Sequence, residues 1–271
     1  MTIRSKTGSA NKMSSPFQFG HFDIRGLIIP IFLIAAWQYA STLGASQAYA
    51  FVPLQQVGHA FLLLMQNGEL WVNTLGSLQR TFLGLGIGSL AGLLLGTLLA
   101  LSRTLNAIVS PLFHSLRQVP LLGLTPLIGL WLGSGETAKV FIISLAAFYP
   151  LVINTFEGLK NNESKYHELA TLYGFSLWQN FWKIRLPQAV PNILTGLMLA
   201  VPFTWITAIG SELLFNAGAG LGNLMMQAEV GAQMDVILIC ALVVTISGII
   251  MTAAIRKLSQ RLLKWRPDNQ R

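Results

Sequence analysis

The sequence predicts an all-α membrane protein of six transmembrane helices with both termini in the cytoplasm. Three observations predict it: too few charges for a water-facing surface, six charge-free apolar runs, and a one-sided distribution of Lys and Arg. Of 271 residues, 53% are hydrophobic and 10% charged. A soluble domain carries about 25% charged residues, so much of this surface has to face lipid. The charge-free runs are Gly26 to Gly68, Thr81 to Ser102, Gln118 to Gly135, Val140 to Phe156, Leu186 to Ser211 and Val236 to Ile255. A spanning helix needs roughly 17–25 mostly apolar residues. Each run supplies one span or nearly so, and the first is longer than one.

Orientation follows from the basic residues. The segments 1–25, 103–117, 159–190 and 256–271 hold sixteen of the eighteen Lys and Arg residues. Cytoplasmic loops carry such an excess, so these four segments are placed inside. The net charge of +8 is then a consequence of topology and gives no reason to expect nucleic acid. The chain divides into a cytoplasmic tail (1–25), a six-helix membrane domain (26–255) with a large loop at 159–190, and a basic cytoplasmic tail (256–271). The lone Cys240 excludes an internal disulfide and reads as a small apolar packing residue. The first apolar run lacks a small-residue cleavage site, so no cleaved signal peptide is expected.

The runs justify the elements in turn. Span 1 covers about Gly26 to Leu43. Val57, Phe61, Leu64 and Met65 then recur at helical spacing, as in an interfacial helix. Span 2, Trp71 to Ser102, carries Gly84, Gly88, Gly92 and Gly96 at a spacing of four. This small-residue stripe predicts a packing seam, within the subunit or between two copies. Ser110 to Pro120 reads as a connection with Pro111 and Pro120 at its ends. Span 3, Leu121 to Leu132, is short and broken by Pro126, a pattern found where backbone lines a cavity. Span 4 covers Ala138 to Glu157, span 5 Pro191 to Leu214 and span 6 Val236 to Ile255. Phe215 to Asp235, with its Gly218-Ala219-Gly220-Leu221-Gly222 start, reads as a partly re-entrant loop with a short helix.

The loop between spans 4 and 5 is aromatic: Tyr166, Tyr173, Trp178, Phe181 and Trp182. Such residues have to pack against something. The pattern predicts a helix over 164–173 stopped by Gly174, and a second helix capped by Ser176 and ended by Pro187. Within it, Glu168-Leu169-Ala170, three residues, Gly174, nine residues, Ile184, one residue and Leu186-Pro187 resemble the EAA loop of membrane subunits in bacterial ATP-binding-cassette importers. Only Leu169, alanine in the family pattern, departs from it. Arg117-Gln118-Val119-Pro120-Leu121, Pro126, Asp235-Val236 and the closing Arg261 to Pro267 look like the branch that imports sulfonates, taurine and nitrate, and most like the aliphatic sulfonate permeases.

The resemblance implies a type I ABC importer (MetI-like) transmembrane domain in the bacterial inner membrane. It implies a second copy of the chain, two cassette ATPases and an extracytoplasmic substrate-binding protein as partners. Glu168, Leu169, Ala170 and Gly174, with Ile184, Leu186 and Pro187, would form the ATPase-coupling element. No cofactor is expected in this chain. It has no Walker A pattern, no cluster with metal-ligand spacing and no catalytic set, so it is not expected to be an enzyme. A standalone channel or secondary carrier is the alternative, and would need no cytoplasmic partner.

Ionisable residues inside spans point to function. Arg80, in span 2, and Glu212, in span 5, are expected either to approach each other, to face the pathway, or to reach the headgroups separately. Thr125, Asn154 and Thr207 join Arg80 and Glu212 as candidate pathway residues, with Asn73 and Ser77 among the wider set of polar residues in the spans.

Overall fold

A computed structural model describes residues 25–42, 51–160, 173–215 and 217–263. It is all-α. The chain divides into two compact units, Met1–Leu54 and Gln55–Arg271. In the first, α1 (Arg25–Ala40) is apolar and largely bare, with Ile28, Ile29, Ile31 and Phe32 all exposed. The Trp37 indole donates to the Val52 carbonyl at 3.0 Å, and Trp37 meets Phe51 edge to face.

The second unit holds α2 (from Leu54 to Gln66), α3 (Glu69–Leu101), α4 (Arg103–Leu116), a 3₁₀ turn (Leu121–Leu124), α5 (Thr125–Leu132), α6 (Glu136–Lys160), α7 (Leu177–Leu214), α8 (Leu221–Val230) and α9 (Met234–Leu262). Four of these, α3, α6, α7 and α9, are long and apolar enough to cross a membrane. The sequence predicts six. The two shortfalls are α1, 16 residues long, and the Leu121–Leu132 segment.

Helices α3 and α6 make the most extensive contact, followed by α6 and α7. The glycine stripe explains the first. A Cβ added at Gly84 or Gly88 would run into Ile143 or the Ser144 carbonyl of α6, and one at Gly92 or Gly96 would come within 2.7 Å of Leu151 or Val152. The stripe is therefore a seam within the subunit. The opposite face of α3 is bare, with Phe82, Leu83, Ile87, Leu90, Leu94 and Leu98 exposed. That face accounts for the shortage of charge. Helices α7, α8 and α9 close a second core around Trp205, Ile209, Leu221, Leu224, Ile239 and Cys240, to which α2 adds Ala60 and Leu64. Val57 and Met65 pack against it, while Phe61 points outward. Cys240 is fully buried there, as an apolar packing residue would be.

Prolines produce most of the differences from expectation. Pro111 lies inside α4, which runs through much of the supposed connection. Its ring holds φ near the helical value, so the chain loses one hydrogen bond there without leaving the helix, and Phe113 anchors the turn by burying against Leu99 and Val152. Pro126 sits at the start of α5 and does not break it, the position where a missing N–H costs least. Pro187 does not end its helix. Just ahead of it, Phe181–Arg185 form a π-helical turn in which the Leu186 N–H reaches back to Phe181 O. The wider turn shifts the hydrogen-bond register before the proline, and α7 continues to Leu214. At the other end of the chain, α9 runs past Ile255 to Leu262.

Candidate functional site

Three features gather the polar residues: a buried knot, a cleft and the start of α7. The knot is built on α3. Asn73, Ser77 and Arg80 recur at a spacing of four and three, so they share one face. Arg80, only 6% exposed, donates from Nη1 to Glu212 Oε1 of α7 at 2.5 Å. Its Nε donates to Glu136 Oε2 of α6 and its Nη2 to the Ala219 carbonyl. The second oxygen of Glu212, which is fully buried, accepts from Ser77 Oγ at 2.8 Å and from Gly222 N at 2.9 Å. Ser77 Oγ in turn accepts from Leu221 N, and Asn73 Oδ1 accepts from Gly220 N at 2.7 Å.

Arg80 and Glu212 thus approach each other, and both turn toward the 217–222 segment. The glycines of that segment are what let it in: a Cβ at Gly220 would lie 2.6 Å from the Glu212 carboxyl group, and one at Gly76 2.7 Å from Ala219 O. Lys139 of α6, with no exposed surface, donates to Ala217 O. Asn223 of α8 donates to the carbonyls of Ala217 and Gly218. Two cations are therefore met by two carboxylates and two backbone carbonyls, those of Ala217 and Ala219, as buried charge requires.

Glu136, Lys139 and Asn223 are not among the expected site residues. The sequence carries a signal for Lys139, a cation three residues into an apolar helix. It carries none for Asn223, whose neighbours become visible only once α8 folds back on α7.

The cleft has a volume of about 720 Å³ and runs between the 3₁₀ turn, α6 and α7. Its lining is mainly apolar, including Leu122, Ile153, Leu199 and Phe203, with Asn154 and Thr207 among them and Arg117 and Gln118 at the α4 end. Pro150 also lines it and has no N–H to offer Ala146, another lining residue. One backbone carbonyl is thereby released beside the cleft. The Asn154 side chain bonds to Pro150 O at 2.8 Å. Of the five candidate pathway residues, Asn154 and Thr207 line this cleft. Arg80 and Glu212 belong to the knot and do not line it. Thr125 is buried at the start of α5, and its hydroxyl has no hydrogen-bond partner among the described residues.

Of the expected coupling residues, Glu168, Leu169 and Ala170 lie outside the described residues. Gly174 is described, at φ +63°, a left-handed conformation that favours glycine. Ser176 caps α7 through a reciprocal capping box with Gln179. Tyr173, Leu177 and Trp178 are strongly exposed, while Trp178 and Trp182 pack edge to face. Ile184, Leu186 and Pro187 come in or just after the π-helical turn.

Comparison with known proteins decides the family. Residues 88–264 match the model for the inner membrane component of binding-protein-dependent transport systems. The chain belongs to this family. It is a multi-pass inner membrane permease subunit of a bacterial ABC importer, not itself catalytic, and such a system implies an ATPase and a binding protein as partners. Over 261 residues the permease is 33% identical to the putative aliphatic sulfonates transport permease protein SsuC of Bacillus subtilis strain 168, covering 96% of this chain and 94% of that one. It is 32% identical over 243 residues to the taurine transport system permease protein TauC of Escherichia coli strain K12, with 88% of each chain covered. Among solved structures, that of an amino acid ABC transporter with histidines aligns at a TM-score of 0.58 and 21% identity, covering 77% of this permease and 97% of that chain. Together with the family match, that likeness supports the MetI-like ABC importer permease fold.

Proposed function

We propose that this permease forms the translocation pathway for a small anion, an aliphatic sulfonate before taurine or nitrate. The observation that carries the substrate class is the 33% identity to a protein named for aliphatic sulfonates, extending over nearly all of both chains. The lining of the cleft agrees with it. A mainly apolar pathway, with a few neutral polar side chains and a single cation, Arg117, at its α4 end, lets an anion through without holding it tightly, and leaves affinity to the binding protein.

In the same reading the chain crosses the membrane six times with both termini inside, α1 and the Leu121–Leu132 segment supplying the two crossings beyond the four long helices. Two copies face each other across the cleft, two cassette ATPases dock below around Glu168 to Gly174, and ATP is hydrolysed there, so this chain holds no cofactor. The distribution of Lys and Arg supports the orientation. A standalone carrier would leave the exposed Tyr173, Leu177 and Trp178 without an occupant.

Growth tests the substrate. A strain lacking this permease, given single sulfonates as sole sulfur source, is expected to fail on at least one and to recover with the gene restored. Normal growth on every simple alkanesulfonate, with failure on taurine as sole sulfur source or on nitrate as sole nitrogen source, would transfer the proposal to that anion. Docking is tested by Gly174→Asp, which is expected to abolish uptake while the chain still inserts. Undiminished uptake would refute it.

A further inference from the structure

A second cavity, of about 600 Å³, opens at the other end of the bundle. That volume is typical of a small-molecule site. Three elements meet there: the end of α3 with the first turn of α4, the end of α6, and the start of α7. Each brings one cation, respectively Arg103, Lys160 and Arg185. No acidic side chain is among the described residues of the lining, and no ion pair to a carboxylate is found for any of the three among the described residues. Lys160 only lies over the Phe156 ring, 5.0 Å from its centre. The neutral donor Asn106 shares the lining.

A general excess of inside charge explains why basic residues occur at helix ends. It does not explain why three from separate segments share one cavity. The π-helical turn does part of this. An extra residue in one turn rotates the remainder of the helix by about 100°, and Ile184 and Arg185, at the close of that turn, both line the cavity. The knot at the far end of the same helices matches each cation with a carboxylate or carbonyl. Here the counter-charge is missing from the described chain.

We propose that this cavity binds an oxyanion, the phosphate of an anionic lipid headgroup or a free sulfate- or phosphate-like anion. Three cations from separate segments suit its several oxygens, with arginine able to hold two at once. Only the choice of the inner leaflet as the lipid source rests on the proposed orientation of the chain. Binding is read independently of transport, so failure here leaves the permease assignment standing.

The test uses the full chain, purified and titrated by native mass spectrometry with phosphatidylglycerol against phosphatidylcholine, and in parallel by equilibrium binding of labelled sulfate. Arg103→Gln/Lys160→Gln/Arg185→Gln is compared with Arg256→Gln/Lys257→Gln/Arg261→Gln, which removes equal charge from the end of α9. The first set is expected to weaken phosphatidylglycerol binding about fivefold for each cation removed, and the second by less than about twofold. Loss confined to the lipid identifies a headgroup, and loss of saturable sulfate binding identifies a soluble anion. Arg103→Lys/Arg185→Lys guards against misfolding and is expected to keep binding within about fivefold. Equal loss in the α9 set, loss in the lysine variant as complete as in the glutamine set, or no saturable binding of either anion to the parent chain would overturn the site.

Discussion

The two ends of the α3–α6–α7 bundle use charge in opposite ways. At one end, Arg80, Lys139, Glu136 and Glu212 cancel, and backbone groups of 217–222 take the remaining hydrogen bonds. At the other, Arg103, Lys160 and Arg185 line one cavity with no described carboxylate among them. From Arg80 to Leu101 is roughly 30 Å of helix at about 1.5 Å per residue, close to the thickness of a bilayer core. Charge that is balanced within the chain fixes its own fold. Charge that no described carboxylate balances is open to a ligand.

The largest effect that separates the two ends is expected from Glu212→Ala. It leaves Arg80 buried with only a half-exposed partner. Breaking a buried pair on one side costs about 3–5 kcal/mol, which is read as loss of folded, monodisperse protein. The double variant Arg80→Met/Glu212→Met removes both charges and is expected to recover most of that loss. Glutamine at Arg103, Lys160 or Arg185 is expected to move stability by under about 0.5 kcal/mol. A Glu212→Ala variant as stable as these would erase the distinction between the ends.

Next in size is the seam that joins the ends. Gly88→Ala places a methyl group against the Ser144 carbonyl of α6. Overpacking of this kind costs about 1–3 kcal/mol. Gly86→Ala, two residues away, meets nothing within 4 Å and is expected to gain roughly 1 kcal/mol from helix propensity. Thermal unfolding of the two in detergent should move in opposite directions. Movement in the same direction would mean that α3 and α6 are held by something other than close backbone approach.

How far the sequence can be read depends on whether the cause is local. Charge-free runs mark the long helices, and a four-residue spacing marks the glycine seam, because both arise from helix geometry alone. The seam's partner is not legible, since a stripe does not say which helix meets it. Pro187 reads as a stop because the rule for proline assumes an α-helical register, and a π-helical turn alters that register first. Arg80 and Glu212 stand out by the cost of charge in an apolar run. Their further partners do not, because Glu136 looks like a turn residue and the carbonyls of 217–219 carry no signal in side-chain identity. Asn73 and Ser77 stand among the pathway candidates because a polar residue on a spanning helix looks the same whether it faces cargo or a folded-back loop.

The smallest expected effect tests how the knot divides its load. Glu136 bonds to Arg80 as Glu212 does, yet its side chain is 55% exposed and that of Glu212 is fully buried. Water screens the Glu136 pair, and exposed pairs contribute about 0.2–1 kcal/mol. Glu136→Gln keeps an acceptor for the Arg80 Nε and loses only the screened charge. Its cost is therefore expected to stay below about 1 kcal/mol, a small downward shift in thermal unfolding. With Glu212→Ala as the reference, a loss of similar size from Glu136→Gln would place the balancing charge at the exposed rim of the knot. Arg80 would then be held from the surface inward, and the contrast between a self-sufficient end and an open one would fail.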